Sequence, residues 1–339
     1  MKRILTVYTG GTICSVSGNE GRELDLQVAK REITANFFES ESEYAKLTEL
    51  FEDSLFPCDM LTLSENMTLS KLEKIAVHVK GFFLDRYQGV IIMHGTDTLA
   101  YSAAFMSLLF SDTPVPIMMV SGNMPPMQSE SNANANFRAA VELIMQGIAP
   151  NVYVPYRNSD GKIYVHLGAR IMQCRNYSYD FFSAGKMLSA FSKELFFRCS
   201  EYSMRRSKVA FTTRFCEGVK LIHSYTGLDY SEIRLDATKA VVHSSYHSGT
   251  VCVEGDCHSI LYLAEKCKQR EIPLFVAPCK LGEEQYSSTY KMARSGLVTI
   301  LDMTTEMAYA KLIVGLSCGF IGEELKDFML SRINNEFIS

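Results

Sequence analysis

No run in this 339-residue chain is apolar for long enough to cross a bilayer. The few apolar residues after Met1-Lys2-Arg3 end at Thr9-Gly10-Gly11, too early for the core of a secretory leader. The ten cysteines include no CxxC pair and no Cys/His spacing of a zinc site. Thiols scattered in this way, in a chain without a leader, fit a reducing compartment, so a cytoplasmic protein is expected. Excess charge is missing too: 34 Lys and Arg stand against 38 Asp and Glu, for a net charge of -4. That balance gives no reason to expect nucleic acid or an acidic membrane surface as partner. Also absent are the GxGxxG and GxxxxGK[ST] phosphate loops, a GxSxG nucleophile elbow, internal repeats and low-complexity tracts. What remains is a globular chain, 47% hydrophobic and 21% charged, of a length that suggests two domains.

Short β-branched runs alternate with helical patterns over the first two thirds. The run Ile4–Tyr8 precedes a polar, glycine-containing stretch from Ser15 to Leu24 that reads as a loop. Leu72, Ile75, Ala76, Val79 and Phe83 fall on one face of a helix expected over 70–83. Gly89–Met93 and Val115–Val120 are apolar strands, each followed by a helical pattern, 99–110 and 131–146, with Asp97 or Thr98 placed to cap the first. Val152–Val154 and Lys162–Val165 flank Asn158-Ser159-Asp160-Gly161 as a hairpin. Continuous apolar strands between helices argue for an α/β fold: a larger N-terminal domain with a mainly parallel sheet flanked by helices. The pattern loses its regularity near Ser189, so the expected division is 1–190, a linker over 191–210, and a smaller C-terminal α/β domain over 211–339. Its strands are expected at Val219–Ile222, Ala240–His243 and Leu274–Ala277, and two of its helices at 260–270 and 304–316.

In a parallel sheet, ligands bind beyond the carboxyl ends of the strands. Three polar, glycine-bearing corners fall there: TGGT at 9–12, HGTDT at 94–98 and SGN at 121–123. Adjacent glycines let a ligand or another backbone come close, and a threonine after them is exposed in the crevice. On spacing alone, a tight turn whose hydroxyls satisfy local backbone groups explains TGGT equally well. HGTDT reads as a helix start or as a hydroxyl and a carboxylate offered at the same crevice. His94 is expected to make a structural hydrogen bond. His243 and His247 near Ser244 and Ser245 invite a serine–histidine reading, but neither a carboxylate nor a nucleophile elbow accompanies them.

TGGTI and HGTDT together resemble the bacterial-type L-asparaginases, along nearly the whole chain. The same order holds Ser64-Glu65-Asn66-Met67-Thr68, Val120 to Pro125, Ser178 to Ser183, Leu301 to Met307, and Ala310-Lys311-Leu312. The resemblance is to the cytoplasmic type I branch. It implies hydrolysis of the side-chain amide of L-asparagine to L-aspartate and ammonia, without metal or organic cofactor, in a homodimer or homotetramer. It implies Thr12 as nucleophile, Thr96 as the second hydroxyl, and N–H groups around Gly11 and Thr96 as oxyanion donors. Asp97 would hold the substrate's α-amino group, Ser64 its carboxylate, and Glu65 would add a contact to the amino group.

Two features depart from that pattern. The family pairs its second threonine with a lysine, and counting back from Asp180 places Gln173 there. Glutamine carries no charge to depress the pKa of Thr96, a loss on the order of 100- to 10,000-fold in rate. Arg175 is near, but its strand offset is expected to turn it to the other face. The family also places a lid tyrosine in the loop after TGGT, and none occurs from Cys14 to Asp25. Asn132-Ala133 stands where Asp-Gly is commoner. These departures support an alternative, a weakened or inactive member that binds asparagine or a related amino acid as a sensor. Hydrolysis of glutamine, a small peptide or an amidated tRNA is a third reading.

Overall fold

The computed structural model describes residues 2–18, 21–55, 61–280, 282 and 285–338. Its contacts divide into two compact units, Met1–Thr213 with Ile333–Asn335, and Arg214–Arg332 with Glu336–Ser339. Among the described residues, no helix is long and apolar enough to cross a membrane.

The first unit begins with β1 (Ile4–Tyr8), every residue of which is buried. The hairpin β2 (Ser15–Gly18) and β3 (Gly21–Leu24) leads to α1 (Leu26–Phe38), whose Asp25 cap accepts from the Val28 N–H. Then come β4 (Phe51–Leu55), α2 (Leu69–Lys80), β5 (Gly89–Met93), α3 (Leu99–Leu109), β6 (Ile117–Val120) and α4 (Ala133–Met145). An antiparallel pair, β7 (Val152–Arg157) and β8 (Ile163–Leu167), is followed by the short β9 (Ile171–Met172), β10 (Phe182–Ser183) and β11 (Leu188–Ser189), and then α5 (Lys193–Met204).

Seven strands form one sheet in the order β11-β8-β7-β6-β5-β1-β4, parallel from β7 through β4. The apolar runs of β1, β5 and β6 are buried throughout, as a parallel sheet covered on both faces requires. α2 buries the stripe Leu72, Ile75, Ala76 and Val79, whereas α3 is apolar on nearly every side and is buried almost all round. Tyr8 is level with Met93, and Met93 with Val120, so the chain leaves three neighbouring strands at one height. That register sets the three polar corners side by side.

The second unit holds β12 (Val219–Ile222), β13 (Ala240–Ser244), α6 (Ile260–Lys268), β14 (Leu274–Ala277), α7 (Ser287–Arg294), β15 (Thr299–Ile300), α8 (Thr305–Ser317) and α9 (Gly322–Leu330). Its four strands pair in sequence order, all parallel. Ser259 and Thr304 cap α6 and α8 through their hydroxyls. Lys311 on α8 is wholly buried and paired with Glu336 at 2.7 Å. The α/β class, with a large mainly parallel sheet flanked by helices, is as expected.

Four local expectations fail. Phe83, expected on the apolar face of a helix over 70–83, lies past the end of α2 at Lys80 and is exposed, since the helix stops at the Gly81 cap. Residues 15–24 form a hairpin rather than a loop; most of its side chains are partly or fully exposed, so no apolar alternation marks it. The stretch 191–210, read as linker, holds α5, capped by Ser192 and burying Leu195 and Cys199. Two buried positions in twelve residues leave a faint pattern. Neither Asp97 nor Thr98 caps α3 with its side chain, because both face Ser64 instead.

Candidate active site

The corner after β1 is pinned to the corner after β5. The Thr9 hydroxyl donates to the Met93 carbonyl at 2.6 Å, so Thr9 faces the sheet and not the crevice. Gly11 lies at φ 77°, and a Cβ there would sit 2.2 Å from the Gly95 nitrogen. A Cβ on Gly95 would in turn come within 2.3 Å of the Ser64 hydroxyl oxygen. Three segments far apart in sequence meet there, two by backbone and the third through the Ser64 side chain, at a closeness that glycine alone permits. Thr12, half-buried, opens a single 3-10 turn past this contact. The Arg22 guanidinium, from β3, donates to its hydroxyl at 3.3 Å. The Gly11 N–H, expected near the oxyanion, donates to the Thr62 carbonyl at 2.9 Å and so already has a partner.

The Ser64 hydroxyl donates to Asp97 Oδ2 at 3.1 Å and accepts from the Asp97 N–H at 3.1 Å. Thr98 donates to the Ser64 carbonyl at 3.0 Å. Ser64 is buried while Asp97 is exposed, so the serine fixes the carboxylate from below and leaves its outer face to solvent. Glu65, on the turn Ser64–Asn66, is exposed. Gln173 lies beside Thr96, as counted from the sequence. Its amide N–H donates to the Thr96 carbonyl at 2.9 Å, and its oxygen accepts from the Ala100 N–H at 3.3 Å. It therefore bridges the start of α3. A lysine could donate to the carbonyl but could not accept from Ala100.

Thr96, Asp97, Gln173, Arg175 and Arg22 all line one cavity of 380 Å³, with Asn123 and Tyr156 among its other walls. Arg175 was expected to point away. Gln173 and Arg175 stand two residues apart, a spacing that returns to the same face of an extended chain, so the expected reversal does not occur.

Residues 3–194 match the family model described as "Asparaginase, N-terminal". This chain belongs to the asparaginase family. It is 26% identical over 349 aligned residues to a glutamyl-tRNA(Gln) amidotransferase subunit of Metallosphaera sedula, covering 99% of this chain and 76% of that protein. It is 26% identical to the 60 kDa lysophospholipase of Mus musculus, covering 92% of this chain but only 58% of that protein. Two solved structures share the fold at 22% identity and 99% coverage of both chains. They are L-asparaginase I of Vibrio cholerae, with a TM-score of 0.74, and the thermostable L-asparaginase of Thermococcus kodakarensis, at 0.73.

Within this asparaginase-family site, Arg22 and Tyr156 were not anticipated from the sequence, and Asn123 and Asn132 were named there without the bonds that join them. Arg22 is the lone basic residue between Cys14 and Asp25, a signal that could have marked it. Asn123 and Asn132 clasp one another through side-chain oxygens and backbone N–H groups at 2.9 and 3.0 Å. Asn132 also donates its amide to the Arg157 carbonyl at 2.9 Å, which an aspartate at that position could not do. Tyr156 is buried beside Asn132, its hydroxyl has no hydrogen-bond partner among the described residues, and burial pushes its pKa up to about 12. His94 keeps the structural role expected: its Nδ1–H donates to the Gly95 carbonyl at 2.8 Å, and burial holds its pKa below the usual value.

Proposed function

We propose that this chain hydrolyses the side-chain amide of L-asparagine to L-aspartate and ammonia, with Thr12 as nucleophile. The observation that carries the proposal is the glycine-to-glycine contact of Gly11 with Gly95, which holds the Thr12 turn against the Thr96–Asp97 corner and the Ser64 hydroxyl. In this reading Asp97 takes the α-ammonium, Ser64 the α-carboxylate, and Glu65 a further contact to the ammonium at the rim. Thr12 Oγ attacks the amide carbon and its proton passes by way of Thr96 to the leaving nitrogen. Water then cleaves the acyl-enzyme ester. Gln173 supplies no charge to this step. The guanidinium of Arg22 supplies one on the nucleophile side instead, since a cation bonded to a hydroxyl lowers the energy of its alkoxide. Assembly as a homodimer or homotetramer, and a cytoplasmic setting, belong to the same proposal.

One observation favours a second reading. With its amide bonded to Thr96 and Ala100, Gln173 suits a site that binds asparagine without turning it over. Ammonia release from L-asparagine and L-glutamine, with Thr12→Ala as control, separates the two. Glutamine is included because amidotransferase subunits are among the relatives. Release no faster than that control, with asparagine binding retained by calorimetry, would overturn the enzyme and leave the sensor.

A further inference from the structure

We propose that Asp229, Cys257 and His258, in the second unit, form a binding site for a divalent transition metal of zinc type. A carboxylate oxygen, the Cys257 sulfur and one ring nitrogen of His258 lie within 4.8 Å of one another. Around a tetrahedral zinc, with bonds of about 2.0–2.3 Å, such atoms stand about 3.3–3.8 Å apart. Closing the difference takes roughly 1 Å of side-chain movement, within the reach of rotamer adjustment. The mixed O, S and N donor set suits zinc better than magnesium or calcium, which take oxygen ligands.

The scaffold around these donors is already tied. The Tyr230 N–H donates to the Cys257 carbonyl at 2.8 Å, joining the loop that carries Asp229 to the turn that carries Cys257 and His258. That turn runs directly into the Ser259 cap of α6. Lys266, about two turns further along α6, holds the same loop through the carbonyls of Tyr230, Ser231 and Ile233, at 2.9–3.1 Å. Asp229 Oδ1 accepts from the Ser231 N–H at 2.8 Å, and the Cys257 thiol also hydrogen-bonds to the carboxylate, so two of the three donors already face one another. His258 Nδ1–H donates to the Leu228 carbonyl at 2.9 Å, which puts the lone pair on Nε2. A backbone carbonyl fixing the histidine tautomer in this way is the usual outer partner of a metal-bound imidazole.

Three protein donors leave a fourth position open. His258 also lines a cavity of 280 Å³ with Tyr225, Tyr230, Tyr246 and Cys252, from which a water or a small ligand would fill that position. Binding replaces the S–H bond of Cys257 with a metal–sulfur bond and releases its proton to buffer; no electron is transferred. No spacing rule reveals this set, because Asp229 stands a loop and a strand ahead of the adjacent Cys257 and His258.

Zinc chloride titrated into the full chain, reduced and stripped of metal, against a chromophoric chelator tests the site. Cobalt(II) is the spectroscopic stand-in. One metal per chain, about one proton released, and a thiolate-to-cobalt absorption band are expected. Cys257→Ser removes the band and weakens zinc by more than about 100-fold, beyond the range for loss of an outer partner. Cys216→Ser, at a thiol of the second unit outside this cavity and this donor set, leaves both unchanged. Should Cys257→Ser fail to fold by circular dichroism, Asp229→Asn, which keeps the acceptor for Ser231, replaces it and weakens zinc by at least 10-fold. Zinc affinity and cobalt spectrum indifferent to these variants mean adventitious binding at other thiols, and overturn the site.

Discussion

Each unit ends a central parallel strand on a buried histidine, and the two histidines do the same local work. His94 follows β5 and donates Nδ1–H to the carbonyl of the next residue, Gly95, at 2.8 Å; His243 near the end of β13 does the same to Ser244, also at 2.8 Å. The chains then diverge. After His94 comes glycine, whose missing side chain admits Gly11 and the Ser64 hydroxyl and so assembles a crevice. After His243 come two serines already bonded to backbone. Ser244 accepts from the Ser224 N–H at 3.2 Å, and Ser245 donates to the Pro278 carbonyl at 2.5 Å. Hydroxyls in the second corner are structural, whereas the Thr12 hydroxyl in the first meets a side-chain cation. A histidine beside hydroxyls therefore says little. Glycine beside the histidine is what opens a site.

The largest effect should come from breaking the first corner. Thr12→Ala is expected to lower ammonia release from L-asparagine by on the order of 10,000-fold or more. The matching change in the second corner, Ser245→Ala, should move it less than about twofold. Comparable losses from both would mean the second corner takes part in turnover, and the contrast drawn between them would fail.

Acid provides the next contrast. Burial lowers the pKa of His243 to about 4 and that of His166, on β8 of the first unit, to about 3. Both rings are neutral in the folded protein at neutral pH, while an unfolded histidine titrates near 6.5. Below about pH 6.5 the unfolded chain binds protons that the folded one refuses, so stability falls with pH until the folded values are reached. For His243 that loss amounts to about 3 kcal/mol between pH 6.5 and 4. Melting temperatures over that range should drop less steeply for His243→Gln than for the natural chain. Equal slopes would show that carboxylates, rather than this histidine, set the acid response.

A smaller change probes the crevice itself. Gln173→Lys restores a charge beside Thr96 but abandons the hydrogen bond from Ala100. If a missing cation limits turnover, kcat should rise about 10- to 100-fold. An unchanged or lower value would assign the electrostatic role to Arg22, and Arg22→Ala should then be the more damaging variant.

These contrasts also show where sequence was informative. Fully apolar β1, β5 and β6 and the stripe on α2 were legible because burial leaves a period in the residues themselves. The position of Gln173 followed from counting, but its two backbone partners did not, since Thr96 and Ala100 belong to a different segment. Arg22 and the hairpin that carries it went unread because an exposed two-stranded ribbon has no apolar alternation to detect. The exclusion of zinc-finger spacing was correct as a statement about sequence and silent about Asp229, Cys257 and His258, which meet only in three dimensions.

The smallest prediction makes the two histidines more alike. The His243 Nε2 accepts from the Tyr230 hydroxyl at 2.9 Å, whereas the Nε2 of His94 has no hydrogen-bond partner among the described residues. Tyr230→Phe keeps the ring in the core of the second unit and removes only that donor. An acceptor left buried without a partner destabilises by about 1–3 kcal/mol. The structure around His94 evidently tolerates such an acceptor, so the lower end, about 1 kcal/mol, is expected here. Urea unfolding followed by circular dichroism reads the change, and asparagine turnover at temperatures well below the transition should be untouched. A loss of several kcal/mol would mean that the Tyr230–His243 bond organises the whole sheet end. Parity with the natural chain would mean that the second unit, like the first, does without it.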